Sequence, residues 1–134
     1  MDLSVLIMPE TTGEAALIVG EEHTAPRVGS GRVHVLATPV MINLFEAAAL
    51  AAIEHKLPPG YQSLGTVLNV RHIAATPVGM RVLALARVTG TEGRTVLFRV
   101  EAYDEKELIG DGDHERVVVN VAKFDLRVAR KHAK

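Results

Sequence analysis

The chain has 134 residues, of which 48% are hydrophobic and 23% charged, and its formal net charge is −1. It contains no Cys and no Trp, and only three Phe and two Tyr. The length predicts a single domain, 1–134, because one hydrophobic core usually takes about 100–200 residues. The lack of Cys excludes disulfides, thiol catalysis and Cys-based metal sites. The near-neutral charge and the few aromatic side chains argue against a nucleic-acid partner.

The first ten residues, MDLSVLIMPE, carry Asp2 where a secretory signal would carry positive charge. The longest uncharged stretch, 33–53, is interrupted by His34 and Glu46. A membrane-spanning helix needs about 20 consecutive apolar residues, which this stretch does not supply. We therefore expect a cytoplasmic protein with no membrane partner.

The first third of the chain predicts two short strands and then a helix. The strands are expected at 15–19 (AALIV) and 32–36 (RVHVL), on either side of a loop that contains Gly and Pro. Thr38 followed by proline predicts a helix start, with Thr38 as the N-cap, and LPPG at 57–60 ends the segment. The predicted helix, 39–56, is apolar on nearly every face, and such a helix is normally buried.

From residue 63 onward the apolar period becomes two, which predicts strands. The expected strands are 63–75, 80–89, 94–102 and about 107–124. Gly110-Asp111-Gly112-Asp113 predicts a bulge or bend in the last strand, and the basic tail at 127–134 predicts a frayed end. We expect 1–12 and 126–134 to lie at the periphery. This order predicts an α+β domain whose antiparallel sheet wraps one helix.

Glu46 is the first candidate functional residue, because no Lys or Arg lies between 33 and 54 to pair with it locally. A carboxylate on an apolar helix lies at an exposed edge, meets a partner from another segment, or is desolvated with a raised pKa. The last state suits a general base or a nucleophile near neutral pH. The pattern alone does not decide between an exposed edge and a catalytic role.

Three further positions could carry chemistry. His72 lies on a largely apolar strand face, where a histidine is more often a packed residue than a catalyst. Thr38 places a hydroxyl at a helix N-terminus, which favours an oxyanion, although an ordinary N-cap is the commoner role. Gly65 would let a substrate approach the backbone closely. The six histidines show no metal-ligand spacing, so no metal site is expected.

Three segments together resemble the hot-dog-fold thioesterases of the fluoroacetyl-CoA thioesterase type. They are LATPVMINLFEAAA at 36–49, SLGTVLNVRHIAATPVG at 63–79 and GDGDHERVVVN at 110–120. The resemblance implies a hot-dog fold, in which a curved antiparallel sheet wraps one long central helix. It also implies a homodimer or a dimer of dimers, with active sites at the interface where Glu46 and His72 can meet across chains.

The resemblance also implies roles for individual residues. Thr38, Glu46 and His72 would form the catalytic group, Gly65 would face the substrate, and Arg116 would lie near the acyl pocket. The implied reaction is hydrolysis of a small acyl-CoA to free acid and CoA, with CoA as part of the substrate and no separate cofactor. The relatives of this type carry bulky aromatic residues just before the Thr, whereas VGSGRVHV at 28–35 has none. We therefore carry over the reaction and not the acyl group.

Two alternatives stay open beside hydrolysis. One is a non-catalytic module that binds acyl-CoA or a small acid. The other is a hot-dog hydratase or dehydratase acting on an acyl thioester, although those families arrange their acidic residue and His in different motifs. Within hydrolysis, Glu46 either activates a water or attacks the thioester directly.

Overall fold

Residues 1–133 are described by the computed structural model, in which a five-stranded antiparallel sheet curls around one long helix. The helices are α1 (Leu3–Leu6), α2 (Ala25–Val28), α3 (Thr38–Ile53) and α4 (Val121–Ala129). The strands are β1 (Thr12–Ile18), β2 (Tyr61–His72), β3 (Arg81–Glu92), β4 (Thr95–Tyr103) and β5 (Leu108–Asn120). The strand order is β1-β3-β4-β5-β2, so β2 forms one edge of the sheet. The predicted α+β hot-dog architecture is confirmed.

Helix α3 is the central helix, and its inner face fills the core with Met41, Leu44, Phe45, Ala48, Ala49, Ala52 and Ile53. Its opposite side is not covered, because Asn43, Leu50 and Ala51 are exposed. The expectation that the helix is buried on nearly every face is therefore wrong for the single chain. A mostly apolar helix with one open side indicates a surface that another chain can cover.

A glycine in β1 allows this helix to lie close to the sheet. A Cβ added at Gly13 would overlap the Ala48 carbonyl oxygen and the Ala52 backbone nitrogen. The helix contributes small side chains at this point, so the backbones of α3 and β1 come into direct contact. The strands add alternating buried residues of moderate size, such as Val82, Ala84, Ala86 and Val88 in β3.

Two of the predicted strands need correction. The segment 32–36 forms no strand; only Leu36 pairs, in an isolated bridge with Thr24, and the rest is an exposed bend. The last strand ends at Asn120 rather than at 124, because the Asn120 side chain accepts a hydrogen bond from the Lys123 backbone and starts α4. The basic tail, 127–134, begins inside this helix and continues as a 3₁₀ turn over Arg130–His132, so the expectation of a frayed end is wrong for these residues.

The irregularity expected at 110–113 lies just before that segment. Ala102 pairs with Gly110 while Tyr103 pairs with Leu108, so Ile109 is the extra residue of β5 against β4. Residues 110–113 themselves pair regularly with β2 and with β4. The irregularity of β5 thus lies one residue before the predicted segment.

The two chain ends differ in their packing. Leu3 and Ile7 are buried in the core, so the expectation that 1–12 is peripheral is wrong for these side chains. Residues 126–133 are exposed, as the sequence predicted, and Lys134 lies outside the described residues. Within 1–133 no helix combines the length and apolarity needed to cross a membrane. A cytoplasmic location stays a prediction.

Candidate active site

Thr38 and His72 form a hydrogen-bonded pair. Thr38 is the first residue of α3 and His72 the last residue of β2, and 2.8 Å separates Thr38 Oγ1 from His72 Nδ1. The N-cap of α3 is Ala37, and the helix has no side-chain cap. The predicted capping role of Thr38 is therefore wrong. Its hydroxyl is committed to the histidine instead.

The pair opens into a cavity of about 360 Å³. The walls come from the Thr–His pair and from two segments, 30–33 and 73–75, with further contributions from Ala25, Val35 and Leu36. None of these lining residues is Phe, Tyr or Trp. The segment that precedes Thr38 therefore reaches the cavity, as the resemblance implied, but brings aliphatic, small and polar side chains to it and no aromatic ring.

The half-buried ring of His72 is neutral at physiological pH. Burial lowers the pKa of His72 below its ordinary value of 6.5, and a backbone contact at Ala74 partly opposes this. A neutral ring can accept the Thr38 hydroxyl proton at Nδ1 and keep its own hydrogen on Nε2. His72 Nε2 is buried and finds no hydrogen-bond partner within residues 1–133. Of the two ring nitrogens of His72, Nδ1 is therefore bonded to Thr38, and Nε2 has no hydrogen bond within the described residues.

Glu46 lies apart from this pair in the single chain. It follows Thr38 by eight residues on the same helix, which places it about 12 Å further along the axis. Its Oε2 accepts a hydrogen bond from Arg116 Nη1 at 3.1 Å, and a Cβ added at Gly65 would lie 2.5 Å from the same oxygen. One chain therefore brings Glu46, Gly65 and Arg116 together and does not bring Glu46 to Thr38 and His72.

Arg116 is the residue of this second group that is anchored in the interior. The side chain is buried in β5, where its Nε donates to Ser63 Oγ at 2.8 Å and its Nη2 to the Ser63 carbonyl at 3.2 Å. Ser63 is held in turn by Glu54, which accepts hydrogen bonds from the Ser63 hydroxyl and, at 3.1 Å, from its backbone nitrogen. Because Ser63 fixes the position of the buried guanidinium, the hydrogen bond from Arg116 also fixes the orientation of the Glu46 carboxylate.

His114 completes the group and was not identified from the sequence as a functional residue. Its ring is buried between Phe98 and Arg116, with Nδ1 2.8 Å from the Val67 carbonyl oxygen and Nε2 3.2 Å from Arg116 Nη1. The period-two pattern of β5 contained the signal, because His114 and Arg116 share the inward face with Val118. Two polar residues on the buried face of a strand require partners.

Metal ligands do not cluster in this region. Across residues 1–133 no group of three or more His, Asp or Glu side chains could hold a metal ion.

The curled sheet around one helix, with polar residues at the helix start and at the edge strand, defines a hot-dog protein. A family model described as fluoroacetyl-CoA-specific thioesterase matches residues 19–122. The chain belongs to this family. It is 43% identical, over 97 residues, to the fluoroacetyl-CoA thioesterase of Streptantibioticus cattleyicolor. These 97 residues are 72% of this chain and 70% of that protein.

Solved structures agree with this assignment. The fluoroacetyl-CoA thioesterase FlK superposes with a TM-score of 0.88 at 34% identity, covering 93% of this chain and 97% of that one. A thioesterase superfamily member from Thermus thermophilus gives a TM-score of 0.86 at 36% identity and covers 92% of each chain. A hot-dog-like protein from Thermanaerovibrio acidaminovorans matches at 24% identity with a TM-score of 0.92, over 100% of this chain and 99% of that one. This last match supports the fold alone.

Proposed function

We propose that the chain hydrolyses small acyl-CoA thioesters, with Thr38 and His72 of one chain and Glu46 of a second copy forming each active site. The observation that carries the proposal is the 2.8 Å hydrogen bond between Thr38 and His72 at the edge of a cavity of about 360 Å³. Membership in a family of thioesterases supports the reaction.

The reaction requires a polarised carbonyl, an attacking group and a proton for the leaving thiolate. The thioester carbonyl lies at the N-terminal end of α3, where the helix dipole favours developing negative charge. Water adds its oxygen to the carbonyl carbon, the carbon–sulfur bond breaks, and CoA leaves as a thiolate that takes up a proton. His72, neutral in the free protein, transfers protons between Thr38, water and the thiolate.

Glu46 supplies the carboxylate, either as the base that activates water or as the nucleophile of a transient acyl-enzyme. The half-exposed carboxylate is held on one side by the buried Arg116 and is open on the other. The missing Cβ at Gly65 leaves room for this carboxylate, since an added Cβ would lie 2.5 Å from Glu46 Oε2. No cofactor or metal is needed, because CoA enters as part of the substrate.

A second copy is required because Glu46 and His72 are too far apart in one chain. The edge strand β2 has a free side along Tyr61–His72, and its exposed residues include Leu64 and Val67. Antiparallel pairing of two β2 edges around a twofold axis near Leu68 would bring His72 of one chain opposite the Gly65 region of the other. Glu46 lies beside Gly65, so the same pairing would complete two sites.

The open side of α3 supports the same dimer. Leu50 and Ala51 are exposed, and the helix carries no charged residue before Glu46. Burying an apolar helix face against a second chain stabilises the association by roughly 25 cal/mol for each Å² of apolar surface removed from water. A dimer of dimers is compatible with this arrangement but is not required by it.

The acyl group is small and is not selected by aromatic residues. The cavity beside Thr38 is lined by 30–33 and 73–75, without a Phe, Tyr or Trp. The curated relative is named for fluoroacetyl-CoA. We expect this chain to accept short and branched acyl groups more broadly than a pocket closed by aromatic rings would allow.

A thiol-release assay across short, branched and aryl acyl-CoAs tests the function. We expect thiol release by the wild type and a loss of at least about 100-fold in rate for Glu46→Gln, the usual scale for a positioned acid–base group. Glu92→Gln, which alters an exposed glutamate of the β3–β4 hairpin, is the matched control and should match the wild type. Wild-type turnover in Glu46→Gln would disprove the role of Glu46.

The same assay separates the alternatives. Saturable acyl-CoA binding with no thiol release over hours would favour a binding module. Hydration of an enoyl-CoA without thiol release would favour a hydratase. Both results would contradict the proposed hydrolysis.

A further inference from the structure

His114 is a buried histidine that the proposed hydrolysis does not use. His114 is fully buried in β5, and its ring stacks on Phe98 with 5.6 Å between the ring centroids. A buried imidazole has to place both nitrogens on partners, because an unpaired buried polar atom is costly. Both partners of His114 are defined in the structure.

These partners fix the tautomer of the ring. His114 Nδ1 lies 2.8 Å from the Val67 carbonyl oxygen, which can only accept, so Nδ1 carries the hydrogen. His114 Nε2 lies 3.2 Å from Arg116 Nη1, which can only donate, so Nε2 has to be the acceptor. The ring is therefore neutral and protonated at Nδ1 in the folded protein.

Arg116 Nη1 has two hydrogens and two acceptors. One acceptor is Glu46 Oε2 at 3.1 Å and the other is His114 Nε2 at 3.2 Å. Arg116 Nε and Nη2 are both committed to Ser63. Rotation of the guanidinium is therefore blocked by Ser63 at one end and by His114 at the other.

We propose that His114 is a positioning residue: it holds Arg116 Nη1 on the Glu46 carboxylate, and it acts on the reaction only through Arg116. The proposal rests on the proposed function of Glu46. Without the acceptor at Nε2, one hydrogen of a buried guanidinium has no partner and the side chain tilts away from Glu46. A displacement of about 1 Å in a reacting group can cost 100-fold in rate.

The electrostatic surroundings of His114 support a neutral ring. Burial lowers the pKa of His114, the hydrogen bond to the Val67 backbone raises it, and the adjacent Arg116 lowers it. Glu46 on α3 and Glu115 on β5 raise it, and the ring faces Phe98 on β4, which carries no charge. Protonation at Nε2 would set a second donor and a second positive charge against Arg116, which would break the contact.

Two substitutions separate positioning from packing. His114→Phe keeps a flat ring against Phe98 and removes the acceptor, whereas His114→Gln can accept from Arg116 through its amide oxygen. We expect His114→Phe to lower kcat by about 10- to 100-fold with little change in KM, the scale of a misplaced reacting group. His114→Gln should recover most of that loss. If His114 acts only by packing, the reverse order is expected, and His114→Phe would have a higher kcat than His114→Gln.

A double-mutant cycle tests whether His114 acts through Arg116. In an Arg116→Met background, His114→Phe should cause almost no further loss of kcat, because its contact is already gone. Full additivity of the two losses would overturn the proposal. His55→Gln, which changes an exposed histidine in the 3₁₀ turn after α3, serves as the control and should leave kcat unchanged.

A spectroscopic readout needs neither activity nor a variant. In a long-range ¹H–¹⁵N spectrum of the wild-type protein at pH 7, His114 should show the neutral Nδ1-protonated tautomer. The Nε2-protonated tautomer, or a protonated ring, would overturn the proposal. If the wild type releases no thiol from any acyl-CoA, the proposed function fails, and the spectrum still decides whether His114 accepts from Arg116.

Discussion

Arg116 Nη1 donates to Glu46 Oε2 at 3.1 Å, and the two side chains differ sharply in exposure, at 4% for the arginine and 36% for the glutamate. The arginine belongs to the interior and the carboxylate to the surface. The pair therefore anchors a partly exposed carboxylate to a buried guanidinium.

Mixing two inactive variants tests the cross-chain site. We expect Thr38→Ala and Glu46→Gln to be inactive alone and to regain about a quarter of the wild-type activity when unfolded and refolded together. Half of randomly paired dimers are mixed, and each mixed dimer has one intact site if Thr38 and Glu46 come from different chains. A mixture that stays inactive would place both residues in one chain.

Disrupting the edge of the sheet tests the dimer itself. Val67 on β2 is exposed in the single chain, and Val67→Glu would place a charge in the proposed interface. We expect this variant to sediment as a monomer and to lose thiol release. Val5→Glu, which changes an exposed valine of α1, is the matched control and should keep both properties. A dimeric and active Val67→Glu protein would contradict the pairing of β2 edges.

Filling the space at Gly65 should impair activity with little effect on folding. A methyl group there would lie 2.5 Å from Glu46 Oε2 and 3.3 Å from the His114 ring, so the carboxylate has to move. We expect Gly65→Ala to lower kcat by at least about 10-fold, since small displacements of reacting groups are costly. Gly90→Ala is the control, because its added Cβ would meet nothing within 4 Å. Equal kcat values for the two variants would contradict the expected displacement.

Removing the arginine should lower stability. Arg116→Met leaves the Ser63 carbonyl and His114 Nε2 without their donor inside the protein. Hydrogen bonds to a charged group contribute about 1.5–3 kcal/mol each, and the half-exposed Glu46 partner recovers part of its loss from water. We expect the free energy of unfolding in urea to fall by about 2–4 kcal/mol. A loss within about 0.5 kcal/mol, the level of an ordinary surface substitution, would show that the arginine is not anchored as described.

The two lowered histidine pKa values predict how stability depends on pH. Burial lowers the pKa of His72 and of His114, so the unfolded chain binds protons at a pH where the folded chain keeps both rings neutral. Because the unfolded state then holds more protons, the free energy of unfolding falls as the pH drops below the ordinary value of 6.5. Urea denaturation between pH 7 and pH 5 measures this fall. It should be smaller in His114→Gln, and an equal slope in both proteins would contradict the assignment.

Activity should decline over the same range, since a protonated His72 cannot accept the Thr38 hydroxyl proton. The pH profile of kcat/KM should therefore show an acid limb whose midpoint lies below 6.5, the ordinary value for histidine. An NMR titration of the His72 ring gives the same midpoint independently. A midpoint above that value would contradict a ring whose charged form is disfavoured by burial.

The regular elements could be predicted because their signals are local. A threonine and a proline begin α3, LPPG follows its end, and the period of two marks β3 and β4. The segment 32–36 has the composition of a strand and still forms none, because β-propensity acts only where a neighbouring strand offers an edge. The helix at the end of the chain depends on one side chain, Asn120, which caps it after a strand of valines.

The site could be predicted only in part. The resemblance implied that Thr38, Glu46 and His72 act together, with Glu46 and His72 meeting across chains. The structure brings Thr38 and His72 together, while Glu46 of the same chain lies two turns away. The distance between Thr38 and Glu46 along α3 is predictable from the sequence, since eight helical residues span about 12 Å. His114 was not singled out, because its role depends on contacts with Val67 and Arg116 that only the folded sheet creates.

The contact of Gly13 with the backbone of α3 has a mechanical consequence in the proposed dimer. Without a side chain between them, β1 and the helix lie in direct contact, so the helix has little freedom to slide or roll. The same rigid helix carries Thr38 for one active site and Glu46 for the other. In that dimer, a movement of α3 that misaligns one active site therefore misaligns the other as well.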